Sequence, residues 1–174
     1  PKNLKNKEIK ILNNLGSLIC ETGRYEESEK ILEEALNKSK GYYGEKHVET
    51  AQTYDNYGNL LFQKGKLDQA KLNFVKAFEI RKEILDEYHL KIVESHCNIG
   101  KALQADLKIE EAKSQFEAAL KIFENFKDQS LEKAQICNLL GTIYIQQKDF
   151  EKTQKYLNEA LAIKLKKLSC KNHY

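Results

Sequence analysis

The sequence of 174 residues contains no tryptophan, no methionine and a single proline. Proline interrupts helix interiors and central strands, so its near absence favours long unbroken elements. Hydrophobic residues make up 41% and charged residues 32% of the chain, which is typical of an ordered, helix-rich protein. The length suffices for one compact domain that buries roughly 70% of its extended-chain surface. We therefore expect a single all-α domain over residues 1–174.

Long apolar runs are absent as well. No stretch approaches the roughly 20 residues that span a bilayer, and no charged-then-apolar leader precedes the first helical pattern. The sequence thus predicts no membrane partner. The chain begins at Pro1 without a methionine, from which we expect a fragment of a longer protein.

The net charge of +3 is concentrated at the two ends. Residues 1–10 carry four lysines and one glutamate, and residues 164–174 carry four lysines and no acid, so the middle of the chain is net negative. A nucleic-acid-binding protein usually has a basic face through its body. We therefore predict no nucleic-acid partner.

Catalytic and metal-binding patterns are also lacking. The four cysteines, at 20, 97, 137 and 170, show no C-x-x-C spacing, and no histidine stands at metal-ligand spacing from them. None of the four histidines has a nucleophile or partner at a telling distance along the chain. The sequence predicts reduced thiols, a cytoplasmic location, no cofactor and no enzymatic activity.

Glycine is scarce, with eight residues, but four glycines recur at a fixed interval. Twelve positions after each one comes a small residue, and nineteen positions after it an alanine. A large apolar residue lies between those two. The glycines are Gly16, Gly58, Gly100 and Gly141, and the large apolar residues are Leu32, Phe74, Phe116 and Tyr156. Spacings of 42, 42 and 41 residues predict four tandem repeats.

Each repeat contains two helical patterns separated by a short break, which reads ETGRYEE, QKGKLDQ, ADLKIEE or QKDFEK. Gly23 and Gly65 stand in these breaks, where a helix end favours left-handed backbone. Gly16 instead lies inside a helical pattern. We expect it to face Ser28 and Ala35, where a close approach of the two helices outweighs the roughly 1 kcal/mol that glycine costs a helix.

The repeats resemble the tetratricopeptide repeat over nearly the whole chain. Their length and linkers resemble the kinesin light chain subtype, in the segments LNNLG, GRYEESE, AFEIRKEIL, GEKHVETA and DEYHLKIV. The resemblance implies a right-handed α-solenoid of four helix-turn-helix repeats, at approximately 8–47, 48–89, 90–130 and 131–170. The proline that often ends the second helix is missing, so we expect the second helices to continue for an extra turn or more.

The first helix of each repeat has two opposite faces. One is mainly apolar and is predicted to be core: Leu12, Leu15, Ile19, Tyr54, Tyr57, Leu61, Ile99, Leu103, Leu140 and Tyr144. Half of the sixteen positions on the other face are Asn or Gln, although Asn is a poor helix former. An ordinary solvated face would be rich in Lys and Glu.

Amides both donate and accept hydrogen bonds, so they can bind a peptide backbone whatever its side chains. In tetratricopeptide repeats the first helices line a concave groove, and the resemblance implies that Asn14, Asn56 and Asn98 contact a ligand there. The fourth repeat departs from this pattern, with Leu139 at the Asn position and Asn138 one residue earlier. The predicted peptide-binding residues are Asn14, Asn56, Asn98, Asn59, Gln52, Gln63, Lys101, Lys10, Ser17 and Gln135. The alternative is that the asparagines tie neighbouring repeats together.

We predict a non-catalytic scaffold that binds an extended or short helical segment of a partner protein, with an adaptor role implied by the kinesin light chain resemblance. The alternative is a structural module that bridges subunits or oligomerises through its ends or convex face. We expect the last helix to present a polar outer face, as terminal repeats do, unless the parent chain continues with further repeats. Three amides at about 1 kcal/mol each fall short of the roughly 8 kcal/mol of a micromolar complex. Pockets for partner side chains must supply the rest.

Overall fold

The computed structural model describes residues 2–126 and 131–171. This part of the chain forms eight helices and no strand. The helices are α1 (Lys2–Glu21), α2 (Tyr25–Tyr43), α3 (Val48–Gln63), α4 (Leu67–Ile84), α5 (Leu90–Ala105), α6 (Ile109–Phe123), α7 (Leu131–Gln146) and α8 (Phe150–Lys171). Each odd-numbered helix packs on the helix that follows it, and each of α2, α4 and α6 packs on the first helix of the next repeat. The predicted all-α repeat solenoid is confirmed.

The turn within each helical pair contains one residue in left-handed backbone. Gly23 and Gly65 have φ values of 80° and 73°, and the corresponding Leu107 and Lys148 have φ values of 60° and 59°. The backbone N–H of Leu107 donates to the carbonyl of Gln104 at 3.1 Å, as that of Gly23 donates to Cys20 at 3.0 Å. The turn geometry is therefore kept in all four pairs, although a Cβ in this region is strained by roughly 1–2 kcal/mol.

Two linker histidines are the N-cap residues of α3 and α5. The ring Nδ1 atoms of His47 and His89 accept the backbone N–H groups of Glu49 and Lys91, at 3.1 and 3.0 Å. Each histidine precedes its helix as an N-cap, so the ring nitrogen takes the place of the Ser or Asp oxygen that usually satisfies these exposed donors. The two side chains have a structural role.

The recurring glycines lie where the two helices of a pair approach most closely. A Cβ built on Gly58 would lie 2.7 Å from the Phe74 ring, and one built on Gly141 would lie 2.7 Å from Leu157. Leu157 thus occupies in the fourth repeat the place that Phe74 has in the second. The assignment of Tyr156 to that position is wrong. Tyr156 precedes Leu157 by one residue, so its side chain leaves α8 in another direction and its ring stacks on that of Tyr144 with centroids 5.5 Å apart.

Most of the predicted core is buried. Ile19, Tyr54, Leu61, Ile99, Leu103, Leu140 and Tyr144 expose at most 6% of their surface, while Leu12 and Tyr57 are half-buried. The prediction is wrong for Leu15, which is exposed because no helix of the described chain covers that side of α1. The expected polar outer face of α8 is not found either. This helix exposes four leucines, at positions 157, 161, 165 and 168.

None of the described helices combines the length and the apolar character that a membrane span requires.

Candidate peptide-binding groove

All ten predicted peptide-binding residues line three cavities along the first helices. The first, of about 300 Å³, lies between α1 and α3 and is lined by Lys10, Asn14, Ser17, Gln52 and Asn56. The second, of about 370 Å³, lies beside it and is lined by Ser17, Asn56, Asn59 and Gln63. The third, of about 910 Å³, lies between α5 and α7 and includes Asn98, Lys101 and Gln135. We call these three cavities together the groove.

Hydrogen bonds between amides join α1 and α3. Asn56 Nδ2 donates to Asn13 Oδ1 at 3.2 Å, and Asn13 Nδ2 donates to Thr53 Oγ1 at 2.9 Å. Gln52 Nε2 in turn donates to Asn56 Oδ1 at 3.2 Å. Asn56 therefore ties neighbouring repeats together, as the alternative interpretation expected, while it also lines the groove. Asn14 is exposed, and its side chain makes no hydrogen bond to the described part of the chain.

A buried cluster of polar side chains joins α3, α4 and α5 behind the groove. Arg81 Nη1 lies 2.5 Å from Asp55 Oδ2, and both side chains are almost fully buried. Arg81 Nη1 also donates to Ser95 Oγ at 2.8 Å, across the contact between the second and third repeats. Burial raises the pKa of Asp55 to about 6, although the charge of Arg81 acts in the opposite direction.

The exposed edge of this cluster includes two predicted groove residues. Gln52 Oε1 accepts from Lys91 Nζ at 2.7 Å, and Lys91 also pairs with Glu94 at 2.7 Å. Asn98 is only 8% exposed. Gln52 thus contributes to the contact between the second and third repeats as well as to the groove, and Asn98 lines the groove from a largely buried position.

The cavity between α5 and α7 has an apolar floor and a polar rim. Buried Val93, Phe123 and Ile136 contribute to its floor, with half-buried Leu139 beside them. The polar residues around it include Lys91, Glu94, Asn98, Lys101, Gln135 and Asn138. Leu139 takes the Asn position of the fourth repeat, so the departure noted in the sequence makes this cavity more apolar than the other two. Lys101 is exposed and forms no ion pair within the described residues.

The described cysteine thiols are unsuited to nucleophilic chemistry. Burial raises the pKa of Cys97 to about 11 and that of Cys137 to about 11, and it raises the pKa of Cys20 as well. A thiol with a raised pKa carries little of the reactive thiolate at neutral pH. Within the described residues, no group of three or more His, Cys, Asp or Glu side chains could hold a metal ion. Cys170 and His173 lie outside the described side chains.

Sequence reasoning missed Asn13, Asp55 and Arg81. Asp55 stands where the other repeats have Asn13, Cys97 and Asn138, and Arg81 stands where they have Ser39, Phe123 and Lys164. The sequence does contain a signal for this ion pair. An acid and a base occur together at these two positions in the second repeat, and no other repeat has such a pair there.

The sequence matches the family model described as Tetratricopeptide repeat over residues 8–83, 55–125 and 91–166. A comparison with curated proteins gives no significant match. Among solved structures, the chain is similar to BtubC (BKLC) from P. vanneervenii, with a TM-score of 0.82 and 21% identity over 98% of this chain and 66% of that one. It is also similar to a Podosopora anserina putative kinesin light chain with nearly identical TPR-like repeats, with a TM-score of 0.79 and 16% identity over 91% of this chain and 75% of that one.

A third similar structure is a Rap protein complexed with Competence and Sporulation Factor, with a TM-score of 0.80 and 16% identity over 90% of this chain. The chain spans only 42% of that protein and just under two thirds of BtubC. At these identities the likeness concerns the fold.

Proposed function

The chain belongs to the tetratricopeptide repeat family, a generally non-catalytic protein-interaction fold, and on this premise we propose that it binds a segment of a partner protein in the groove. The cavity between α5 and α7 is the principal site of this proposal. The chain acts as a scaffold rather than as an enzyme, in the cytoplasm, with an adaptor role of the kind that the likeness to kinesin light chain repeats suggests.

The observation that carries the proposal is the apolar floor of that cavity beneath a polar rim. Ligand sites combine apolar lining with a few polar groups that fix orientation. A partner side chain that is fully buried on Leu139 and Ile136 contributes about 1.5–3 kcal/mol. The amides of Gln135 and Asn138 then hold the backbone of the bound segment at about 1 kcal/mol for each hydrogen bond. The partner is therefore a segment with at least one bulky apolar side chain.

The cavities between α1 and α3 extend the groove but contribute less affinity. Their lining is more polar, and Asn56 is already paired with Asn13. The Rap structure, which is complexed with Competence and Sporulation Factor, supports the proposal because it shows a similar stack of helices in a complex.

The experiment uses peptides selected on the immobilised protein from a random display library, with affinities measured by fluorescence anisotropy. We expect selected peptides to share a bulky apolar residue and to lose about tenfold or more in affinity for the Leu139→Asp variant, because the introduced carboxylate desolvates on binding. The matched control is Leu72→Asp, since Leu72 is exposed on α4 and lines none of the cavities of the groove. The principal site would be refuted if the selected peptides bound the Leu139→Asp variant as tightly as the wild type while circular dichroism showed that both variants are folded.

A further inference from the structure

The two ends of the stack carry exposed apolar stripes. On α1 the stripe consists of Leu4, Ile11, Leu15 and Leu18, which expose 42–71% of their surface. On α8 it consists of Leu157, Leu161, Leu165 and Leu168, which expose 37–59%. Contiguous exposed apolar side chains of this kind mark interaction surfaces. We call them the α1 stripe and the α8 stripe.

Ile11 and Leu18 of the α1 stripe occupy positions that other repeats bury against the preceding repeat. Ile11 corresponds to Thr53, Ser95 and Ile136, and Leu18 corresponds to Leu60, Ala102 and Ile143, all at most 1% exposed. The contacts are explicit in two cases. Thr53 accepts a hydrogen bond from Asn13 of the first repeat, and Leu60 packs in one cluster with Leu32 and Cys20 of the first repeat.

Leu161 of the α8 stripe occupies a position that other repeats use to contact the repeat that follows along the chain. Leu161 corresponds to Leu36, Phe78 and Leu120. Leu36 packs against the cluster that contains Ala51 and Tyr54, Phe78 contacts the ring of His96 with centroids 4.9 Å apart, and Leu120 packs against the cluster that contains Ala134 and Cys137. In each case the contact is with the following repeat.

From this correspondence we propose that the chain binds a second copy of itself head to tail, with the α8 stripe of one copy packed on the α1 stripe of the next. Ile11 and Leu18 of the α1 stripe and Leu161 of the α8 stripe correspond to the two sides of a contact that the chain makes three times between its own repeats. A second copy of the chain carries the matching half for each stripe. This association is independent of the groove.

A head-to-tail contact uses different surfaces on the two copies and does not close, so it produces linear chains rather than a symmetric dimer. Lysines flank both stripes and oppose the contact. Lys5 and Lys7 are exposed on α1, and Lys164 and Lys166 are exposed on α8. Because salt screens repulsion between exposed charges and leaves apolar burial in place, association strengthens as ionic strength rises.

The test is sedimentation equilibrium of the purified chain over about two decades of concentration in the micromolar range. We expect the weight-average mass of the wild type to rise continuously with concentration, and to rise further with salt. The α1 variant Ile11→Glu/Leu18→Glu and the α8 variant Leu161→Glu/Leu165→Glu should each associate at least about tenfold more weakly, since each has lost one half of the contact. An equimolar mixture of the two variants retains one intact half of each kind, so it should form a dimer and nothing longer.

The control is Leu72→Glu, which places the same charge on an exposed leucine of an inner repeat and should associate like the wild type. Circular dichroism checks that all variants are folded. A wild type that stays monomeric at every concentration and salt would overturn the proposal. So would a dimer formed by either variant alone, which indicates a symmetric contact between like ends, and so would a mixture that remains monomeric.

Discussion

Gly58 lies beneath the ring of Phe74, and this contact shows why glycine recurs inside helices that would otherwise exclude it. The space that a Cβ would need at Gly58 is occupied by the edge of the ring, at 2.7 Å. The same geometry recurs at Gly16, where Ser28 Oγ also donates to the glycine carbonyl at 2.7 Å. Loss of helix propensity at these positions is offset by the contact between the two helices of each pair.

We predict that Gly58→Ala destabilises the protein by about 1–3 kcal/mol, because overpacking against Phe74 outweighs the roughly 1 kcal/mol gained in helix propensity. The control is Gly41→Ala. Gly41 lies within α2 and a Cβ there would meet nothing within 4 Å, so this change should stabilise by up to about 1 kcal/mol. Urea denaturation of the two variants measures both effects. A Gly58→Ala protein as stable as the wild type would mean that the Phe74 ring can move aside freely.

The sequence indicated the role of these glycines because their spacing is a property of the chain alone. It also predicted that Asn14 and Asn56 lie on one face. It could not predict that Asn56 is paired with Asn13, because that bond depends on the distance between α1 and α3. Such distances follow from the volume of every side chain between two helices, and no local pattern encodes them.

The Asp55–Arg81 pair lies where α3, α4 and α5 meet, and its burial determines how the stability of the protein depends on pH. Desolvation raises the pKa of Asp55 from 3.8 to about 6, so between these pH values the folded state binds more protons than the unfolded state. The contribution of Asp55 to the free energy of unfolding therefore grows as the pH falls from about 6 to 4, and is lost as the pH rises through the same range.

We predict that Arg81→Met costs about 3–5 kcal/mol at pH 7, because it leaves the Asp55 carboxylate buried without a counter-charge. Loss of the guanidinium raises the pKa of Asp55 further, so the variant should recover part of this stability by pH 5, where the carboxyl is protonated. Denaturation curves at both pH values measure the difference. Lys82→Met is the control, since Lys82 is exposed on the same helix and its variant should show no such recovery. An equal loss for Arg81→Met at both pH values would contradict a charged Asp55 as the cause.

At this scale the helices and their order followed from the repeat period, but their spacing did not. The spacing of the repeats predicts the same contact between α3 and α5 as between α5 and α7. In the structure the first is filled by a buried polar cluster, while the second opens into a cavity of about 910 Å³. Leu139 was noticed only as an exception to the Asn pattern, and its contribution to an apolar wall required the position of Phe123 and Ile136.

The whole stack is held together unevenly. Buried polar contacts join the first three repeats. The third and fourth share a buried apolar cluster, but their polar contacts are exposed, such as Gln104 Nε2 donating to Thr142 Oγ1 at 3.2 Å and the contact between Gln147 and Glu110. Helix α6 also packs less extensively on α7 than α4 packs on α5. In a repeat protein each unit is stabilised mainly by its neighbours, so a weaker junction lowers the stability of the units beyond it.

We predict that backbone amides of α7 and α8 exchange with solvent faster than those of α3 to α5, because the fourth repeat opens without the rest of the stack. Hydrogen exchange followed by mass spectrometry measures this directly. A peptide bound between α5 and α7 should slow the exchange of α7, since it bridges the weak junction. Uniform protection from α3 through α8 would show that the stack opens as one unit.

If the groove binds a partner segment as proposed, the bond between Asn13 and Asn56 gives its two ends different roles in recognition. A ligand that takes over the N–H group that Asn56 donates to Asn13 exchanges one amide hydrogen bond for another and gains little free energy. Such a ligand must place its own hydrogen-bonding groups correctly, because an ill-fitting segment would leave two amides unpaired. Under the proposed function we therefore expect the cavities between α1 and α3 to discriminate among segments and the apolar cavity between α5 and α7 to retain them.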